Sequence, residues 1–303
     1  MKKSLFLFFV CAVFFSHAQN MSVATYNIRN KNTYDSINGN VWQIRSKVLC
    51  DQINFEQPAV FGAQEVLHEQ LLDMLGLLDD YGYIGVGRDD GYQSGEYSAV
   101  FYKKDLVNKI DQGWFWLNES PDKPVKGWDA ACVRICTWGK FRNKSDGFEF
   151  CFFTLHIDHV GVTARRESAK LIVKKIQEIA QGLPVIITGD FNVDQNDEIY
   201  SIFTESGLLK DSYVHARLRF AENGTFNSFN PELKTESRID HIFVSPSFNV
   251  DNYAVMTDCY WVENERSNDN TLKGHDAPQQ IDFKVFSKRT PSDHYPVFVK
   301  LKY

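Results

Sequence analysis

Six short segments carry side chains that hold cations and move protons: Thr-Tyr-Asn27, Ala-Gln-Glu65, Leu-His156-Ile-Asp158-His159, Thr-Gly-Asp190-Phe-Asn192, Arg238-Ile-Asp240-His241 and Ser292-Asp293-His294-Tyr-Pro. Each lies beside an apolar run that reads as a strand. Carboxylates and amides held at strand ends suit a hard divalent cation, because Mg²⁺ takes oxygen ligands and keeps part of its water shell for substrate. The pattern implies a metal-dependent hydrolase.

The elements that must position these residues are legible as periodicity. Ser22 to Ile28, Ala59 to Gln64, Tyr83 to Gly87, Tyr97 to Tyr102, Ala131 to Phe141, Phe148 to Leu155, Pro184 to Thr188, Ile239 to Ser245, Asn249 to Met256 and Tyr295 to Leu301 read as strands. Helices are predicted over Val41 to Phe55, with Val41, Ile44, Val48 and Ile53 as the apolar face, over Leu67 to Leu78, and from Thr163 to about Gln181. Asn27, Glu65, His156 and Asp190 follow their strands, whereas Asp240 and Asp293-His294 precede theirs. If the second group runs antiparallel to the first, all share one sheet edge, where open α/β sheets usually place their sites. No repeat or linker divides residues 19–303, so we expect one domain: an α/β four-layer sandwich of two packed mixed sheets with helices outside.

The chain has 303 residues. Lys2-Lys3, the apolar run from Leu5 to Phe15 and Ser16-His17-Ala18 have the order of a secretory signal peptide, residues 1–18, cleaved before Gln19. That run is too short to be a comfortable membrane span, and no later one is long enough. The expected location is therefore periplasmic or extracellular. Cys50, Cys132, Cys136, Cys151 and Cys259 remain, an odd set whose pairing the sequence leaves open. Cys132 and Cys136 fall on one expected strand, roughly 13 Å apart, too far to bridge. A net charge of -6 argues against a non-specific grip on long nucleic acid, which comes from Lys and Arg neutralising phosphates.

In this order the segments resemble the endonuclease/exonuclease/phosphatase superfamily, the deoxyribonuclease I-like enzymes, over roughly Ser22 to Tyr303. The resemblance implies the four-layer sandwich and hydrolysis of phosphate esters with Mg²⁺ or Mn²⁺. It implies that Glu65 is the principal metal ligand, with Asn27 and Asp293 on the metal side. Asp190 then activates the attacking water and Asn192 orients the phosphoryl oxygen. His294 is the family's catalytic histidine, oriented by Asp240, as a buried carboxylate fixes a tautomer in a hydrolase triad. His156 contacts the phosphate from the opposite side. Glu96 either supports His156 or is an exposed charge opening a strand. Asp158 and His159 shape the cleft, with a direct metal role as the alternative, and Arg88 either contacts phosphate or is a surface charge.

Two departures stand out. His241 occupies a position where many relatives carry an aromatic residue, and either adds a polar group to the cleft or faces solvent. The connection from Thr257 to Pro291 is long and polar, either a pocket wall or a surface excursion. Trp114, Trp116 and Trp128 lie in a loop-rich stretch and serve stacking or packing. Arg165-Arg166 and Lys174-Lys175 are the nearest approach to a basic track. A small phosphorylated substrate is thus favoured, with DNA or RNA hydrolysis and a catalytically inactive binding module as the alternatives, and a monomer is expected.

Overall fold

The computed structural model describes residues 19–263, 278 and 285–303. The expected signal peptide and most of the Thr257 to Pro291 connection lie outside them. In chain order the elements are β1 (Asn20–Asn27), α1 (Thr33–Ile37), α2 (Trp42–Glu56), β2 (Val60–Val66), α3 (His68–Leu77), β3 (Tyr81–Ile84), β4 (Tyr97–Lys103) and β5 (Val107–Trp116). There follow β6 (Ile135–Asn143), β7 (Glu149–His156), α4 (Val162–Ala180), β8 (Val185–Asp190), α5 (Glu198–Thr204), β9 (Lys210–Asp211), α6 (Ser212–His215) and β10 (Leu218–Phe220). The chain continues through β11 (Asp240–Val244), β12 (Asn249–Val255), β13 (Tyr260–Glu263), β14 (Phe286–Arg289) and β15 (Val297–Lys302).

Two sheets dominate, with strand orders β10-β12-β15-β1-β2-β4-β3 and β5-β6-β7-β8-β11-β9. Side chains alternate across a strand, and here both faces are buried. Val23, Val60, Phe152, Ile186 and Ile242 belong to the core between the sheets. Their neighbours Phe153, Ile187 and Phe243 join Ala169, Ile172 and Ile176 of α4 in an outer core. Ala24 and Phe61 join Trp42, Leu49 and Ile53 of α2 and Leu71 and Met74 of α3 in the other. The layers are therefore helix, sheet, sheet, helix. No helix among the described residues is long and apolar enough to cross a membrane.

The sheets meet closely beneath the site. A Cβ on Gly62 would lie 2.2 Å from Thr154 Oγ1 and 2.5 Å from Thr188 Oγ1, so only glycine permits this approach. Gln64 bridges the seam, donating to Thr25 Oγ1 at 3.1 Å and Thr154 Oγ1 at 2.9 Å.

Three expectations need correcting. The strand expected from Ala131 begins at Ile135, leaving Cys132 in the preceding bend. Trp114 and Trp116 sit on β5, a strand whose Asn108 to Gln112 stretch is solvent-exposed and carries no apolar alternation. Helix α2 forms, but its buried face is Trp42, Arg45, Leu49 and Ile53, while Ile44 is exposed. The charge on Arg45 hid that face from an apolar-period reading.

Candidate active site

Strand directions bring the six segments to one edge. β1 and β2 run parallel, as do β7 and β8, while β15 runs antiparallel to β1 and β11 antiparallel to β8. Asp190 pairs directly with Asp240 on one side and His156 on the other. At this edge the backbone turns left-handed at several non-glycine residues, among them Arg29 (φ 58°), Glu65 (φ 61°) and Asn192 (φ 48°). Such conformations cost free energy and persist where the surroundings impose them. For Glu65 the cause is visible: the β2–β4 register shifts between Ala63 and Val66, a bulge that re-aims the carboxylate into the cleft.

Asn27 lies at the centre. Its Nδ2 donates to Glu65 Oε1 and to Asp190 Oδ2, both at 3.0 Å, and lies 3.4 Å from His294 Nε2. Asn27 thus presents a donor to two carboxylates, and its Oδ1 accepts from Arg29 N at 3.0 Å. Asp190 Oδ1 accepts from Asn192 N at 2.9 Å. Asn192 Nδ2 donates to His156 Nε2 at 3.0 Å and to Ile157 O at 3.0 Å. Since that ring nitrogen must accept, the His156 proton resides on Nδ1, which is buried and unpartnered. His294 Nδ1 lies 2.8 Å from Asp240 Oδ2, and its Nε2 is 3.8 Å from Asp190 Oδ2.

Charges follow from this packing. Burial, reinforced by the charge of Asp240, raises the Asp190 pKa to about 7. Burial alone would lower that of His294, but its bond to Asp240 and the charge of Asp190 raise it well above the usual imidazole value. His156 moves the other way, lowered by burial and by the guanidinium groups of Arg134 and Arg88, so it stays neutral. Asp293 is raised by burial and by the charge of Glu65, against the opposing pull of His294 and Arg29.

The cleft has a volume of about 450 Å³, and its walls include Arg29, Arg88, Arg134, His159 and Phe226. Glu96 does not bond His156. It accepts from Asn30 Nδ2 at 3.0 Å and pairs with Arg88, so the expected support of the imidazole is replaced by a guanidinium contact. His159 lines the cleft and its Nδ1 accepts from Arg134 at 2.9 Å. Asp158 does not reach the cleft wall; both its oxygens are taken by backbone N–H groups and Arg134. His241 faces away: it is fully buried among Phe191, Tyr200 and Phe243 and lies 3.0 Å from Val193 O. The pleat explains this, since Asp240 and His241 point to opposite faces.

The residues fit a hard divalent cation. Glu65, Asp190 and His294 bring polar atoms within 4.8 Å of one another, and of these the two carboxylates can ligate while His294 is protonated. Glu65 also acts electrostatically on Glu96 and Asp293, raising both. A cation would relieve this crowding of carboxylates, and Glu65, which lines the cleft, would hold it. Asp293 Oδ2 sits 3.4 Å from Arg29 Nη1, so it contributes from beside a guanidinium.

Several contributors left little trace in the sequence. Asn30 donates from both backbone N and Nδ2 to Glu65 Oε2, at 3.1 and 3.2 Å. Phe226 stacks edge-on against His294, ring centroids 5.1 Å apart, from a segment with no strand or helix signal. Arg45, 0% exposed, donates to Asn40 O, Ile28 O, Arg29 O and Pro291 O, joining the turn after Asn27 to the turn before Asp293. None of Trp114, Trp116 and Trp128 lines the cleft. Arg166 pairs with Glu198, and Lys174 and Lys175 with Glu178, on the surface of α4.

Comparison with known proteins agrees with this geometry. A structure of an endonuclease/exonuclease/phosphatase family protein from Bacteroides thetaiotaomicron is 48% identical, with a TM-score of 0.87, covering 95% of this chain and 99% of its own. A mannosyl-6-phosphatase from the same species is 48% identical, with a TM-score of 0.86, covering 93% of this chain and 100% of its own. Among curated proteins, Nocturnin of Drosophila melanogaster is 24% identical over 189 residues, 59% of this chain but only 28% of that protein. The match to Nocturnin of Xenopus laevis spans 45% of it, so this chain covers less than half of either curated relative. The family model for the Endonuclease/Exonuclease/phosphatase family matches residues 24–294, from within β1 to His294, and the chain belongs to that family.

Proposed function

We propose that this chain is an exported phosphoesterase, dependent on Mg²⁺ or Mn²⁺, that hydrolyses a phosphate ester of a small sugar by in-line attack of water. The observation that carries the reading is the buried Asp190–His294–Asp240 array beside the Glu65 carboxylate, which lines the cleft. Likeness to a mannosyl-6-phosphatase over nearly the full length of both chains supports the substrate class.

A cation held by Glu65, with Asp293 and Asn27 beside it, would neutralise charge on the phosphate and the leaving oxygen. The remaining work falls to side chains. Asp190, titrating near neutrality, takes the proton of the attacking water, as a base poised at working pH should. His294, held cationic by Asp240, binds a phosphoryl oxygen as its charge grows. Asn192 and neutral His156 hold the opposite face. Arg88 and Arg134 extend the positive wall for the rest of a phosphomonoester, with His159 beside them.

The test is turnover of the purified chain with Mg²⁺, Mn²⁺ or EDTA on mannose 6-phosphate, other phosphomonoesters, phosphodiesters, DNA and RNA. Metal-dependent release of phosphate from mannose 6-phosphate is expected. Salt-sensitive nicking of DNA with no action on small esters would make it a nuclease, and no turnover at all a binding module.

A further inference from the structure

Between β3 and β4 the chain folds a short arm against the cleft. Arg88 N donates to Glu96 O at 3.2 Å and Asp89 N to Ser94 O at 3.0 Å. The turn is made through Gly91 (φ 73°) and Gly95 (φ 81°), which adopt a backbone that L side chains avoid. Trp116 Nε1 donates to Arg88 O at 2.7 Å and fixes the arm to β5. The side chains of Arg88 and Glu96 pair across the arm, 14% and 16% exposed, and both line the cleft. Asn30 joins them, donating to Glu96 Oε1.

The Arg88 and Glu96 pair serves neither the cation nor the reacting proton in the reading above. Glu96 bonds Asn30 and Arg88, not His156, whose carboxylate neighbour is Asp190, 3.4 Å from its Nε2. Each carboxylate oxygen accepts one bond and has a lone pair remaining. Asn30 Nδ2 spends its two N–H groups on Glu65 and Glu96, so it holds the carboxylate in place. The Arg88 guanidinium and the Glu96 carboxylate side by side then offer a donor and an acceptor, and vicinal hydroxyls answer such a pair because each can both donate and accept. A nucleobase would instead need a flat ring to stack on, and no residue of this arm that lines the cleft is aromatic.

We propose that Arg88 and Glu96, positioned by Asn30, form a subsite that reads the hydroxyls of a polyol leaving group. This rests on the phosphoesterase reading and deepens it. The arm is preorganised, so little ordering accompanies binding, and a leaving group without hydroxyls leaves its buried polar groups poorly matched.

The experiment compares kcat/KM on mannose 6-phosphate with that on propyl phosphate, which has no hydroxyls, in the native chain and in Glu96→Gln and Asn30→Ala. Unphosphorylated mannose is also tested as an inhibitor of propyl phosphate hydrolysis, and melting temperatures identify any variant that fails to fold. The expected result is a native preference for the sugar phosphate that falls at least about tenfold in either variant, the scale of one lost charged hydrogen bond, with weakened inhibition by mannose. A ratio that is unchanged, because both substrates lose equally or neither does, overturns the subsite while leaving the phosphoesterase standing. Absence of metal-dependent turnover on both substrates in the native chain overturns the phosphoesterase instead.

Discussion

Two carboxylate–histidine neighbourhoods border the cleft through His159 and His294, and their hydrogen bonding separates them. Asp158 precedes His159 in sequence, and its carboxylate is saturated: Oδ1 accepts from Val160 N and Gly161 N at 2.9 and 2.8 Å. Its Oδ2 accepts from Ala131 N, Cys132 N and Arg134 Nε at 3.1, 3.2 and 3.4 Å. Asp240 is as buried, but only its Oδ2 is engaged, by His294, and its Oδ1 has no partner. A carboxylate fully met by fixed N–H groups is a staple. One left under-satisfied acts on the charge of its neighbour, and the pKa directions agree. Burial notwithstanding, the backbone bonds hold Asp158 well below the usual carboxylate range, while Asp240 lifts His294.

The largest expected contrast uses the carboxylate best placed to hold the cation. Glu65→Gln should reduce metal-stimulated hydrolysis to background with the melting temperature retained, because it removes ligand charge at constant volume. Asp158→Asn should keep turnover within a few-fold but lower stability by about 1–3 kcal/mol, the usual cost of spoiling buried hydrogen bonds. Denaturant titration beside the kinetics checks both, and the contrast fails if Asp158→Asn inactivates a stably folded protein.

Next in size, His294→Ala should lower kcat by about 10²- to 10⁴-fold, and Asp240→Asn should lower it as well. If Asp240 works through His294, the double variant is scarcely worse than the poorer single one. Multiplicative losses would separate them.

A smaller effect is expected in pH profiles. Activity should rise through about pH 7 as Asp190 loses its proton and fall at higher pH as His294 does. Removing the Asp240 charge withdraws support from the His294 cation, so Asp240→Asn should move the descending limb to lower pH. Asp158→Asn should leave that limb where it is.

Smallest is the linkage to folding in EDTA. Asp158 has a depressed folded pKa, so its contribution is present above the unfolded value of 3.8 and is lost as pH falls through its folded pKa. Asp190 has the reverse sign: the folded state keeps its proton to about 7, so stability declines as pH rises from 3.8 toward 7. Urea midpoints against pH for Asp158→Asn and Asp190→Asn should differ from the native curve in opposite senses.

How far this was legible in the sequence follows from the same physics. A polar residue ending an apolar run marks a strand end, so Asn27, Glu65, His156 and Asp190 stood out, and antiparallel return strands bring Asp240 and His294 beside them. The partner of Glu96 was not legible, because the arm that brings Arg88 to it depends on two glycine turns and an anchor from Trp116, on the distant β5. Arg45 broke the apolar period of α2 because its charge is met by carbonyls distant in sequence, Ile28 and Pro291 among them. Asp158 looked like a site residue because a saturated staple and a working carboxylate share one sequence pattern.

The position of β15 has a consequence for how activity arises in a growing chain. It lies between β12 and β1, pairing with β1 from Asn20↔Lys302 to Thr25↔Val297. Its leading turn brings His294 to Asn27, 267 positions away. Such remote pairings close late and carry a high loop-closure cost. Until β15 docks, β1 has an open hydrogen-bonding edge and the array lacks its imidazole. Sealing of that edge and completion of the array therefore depend on the same strand and its leading turn, and a chain interrupted before them lacks His294 and is prone to pair with other strands.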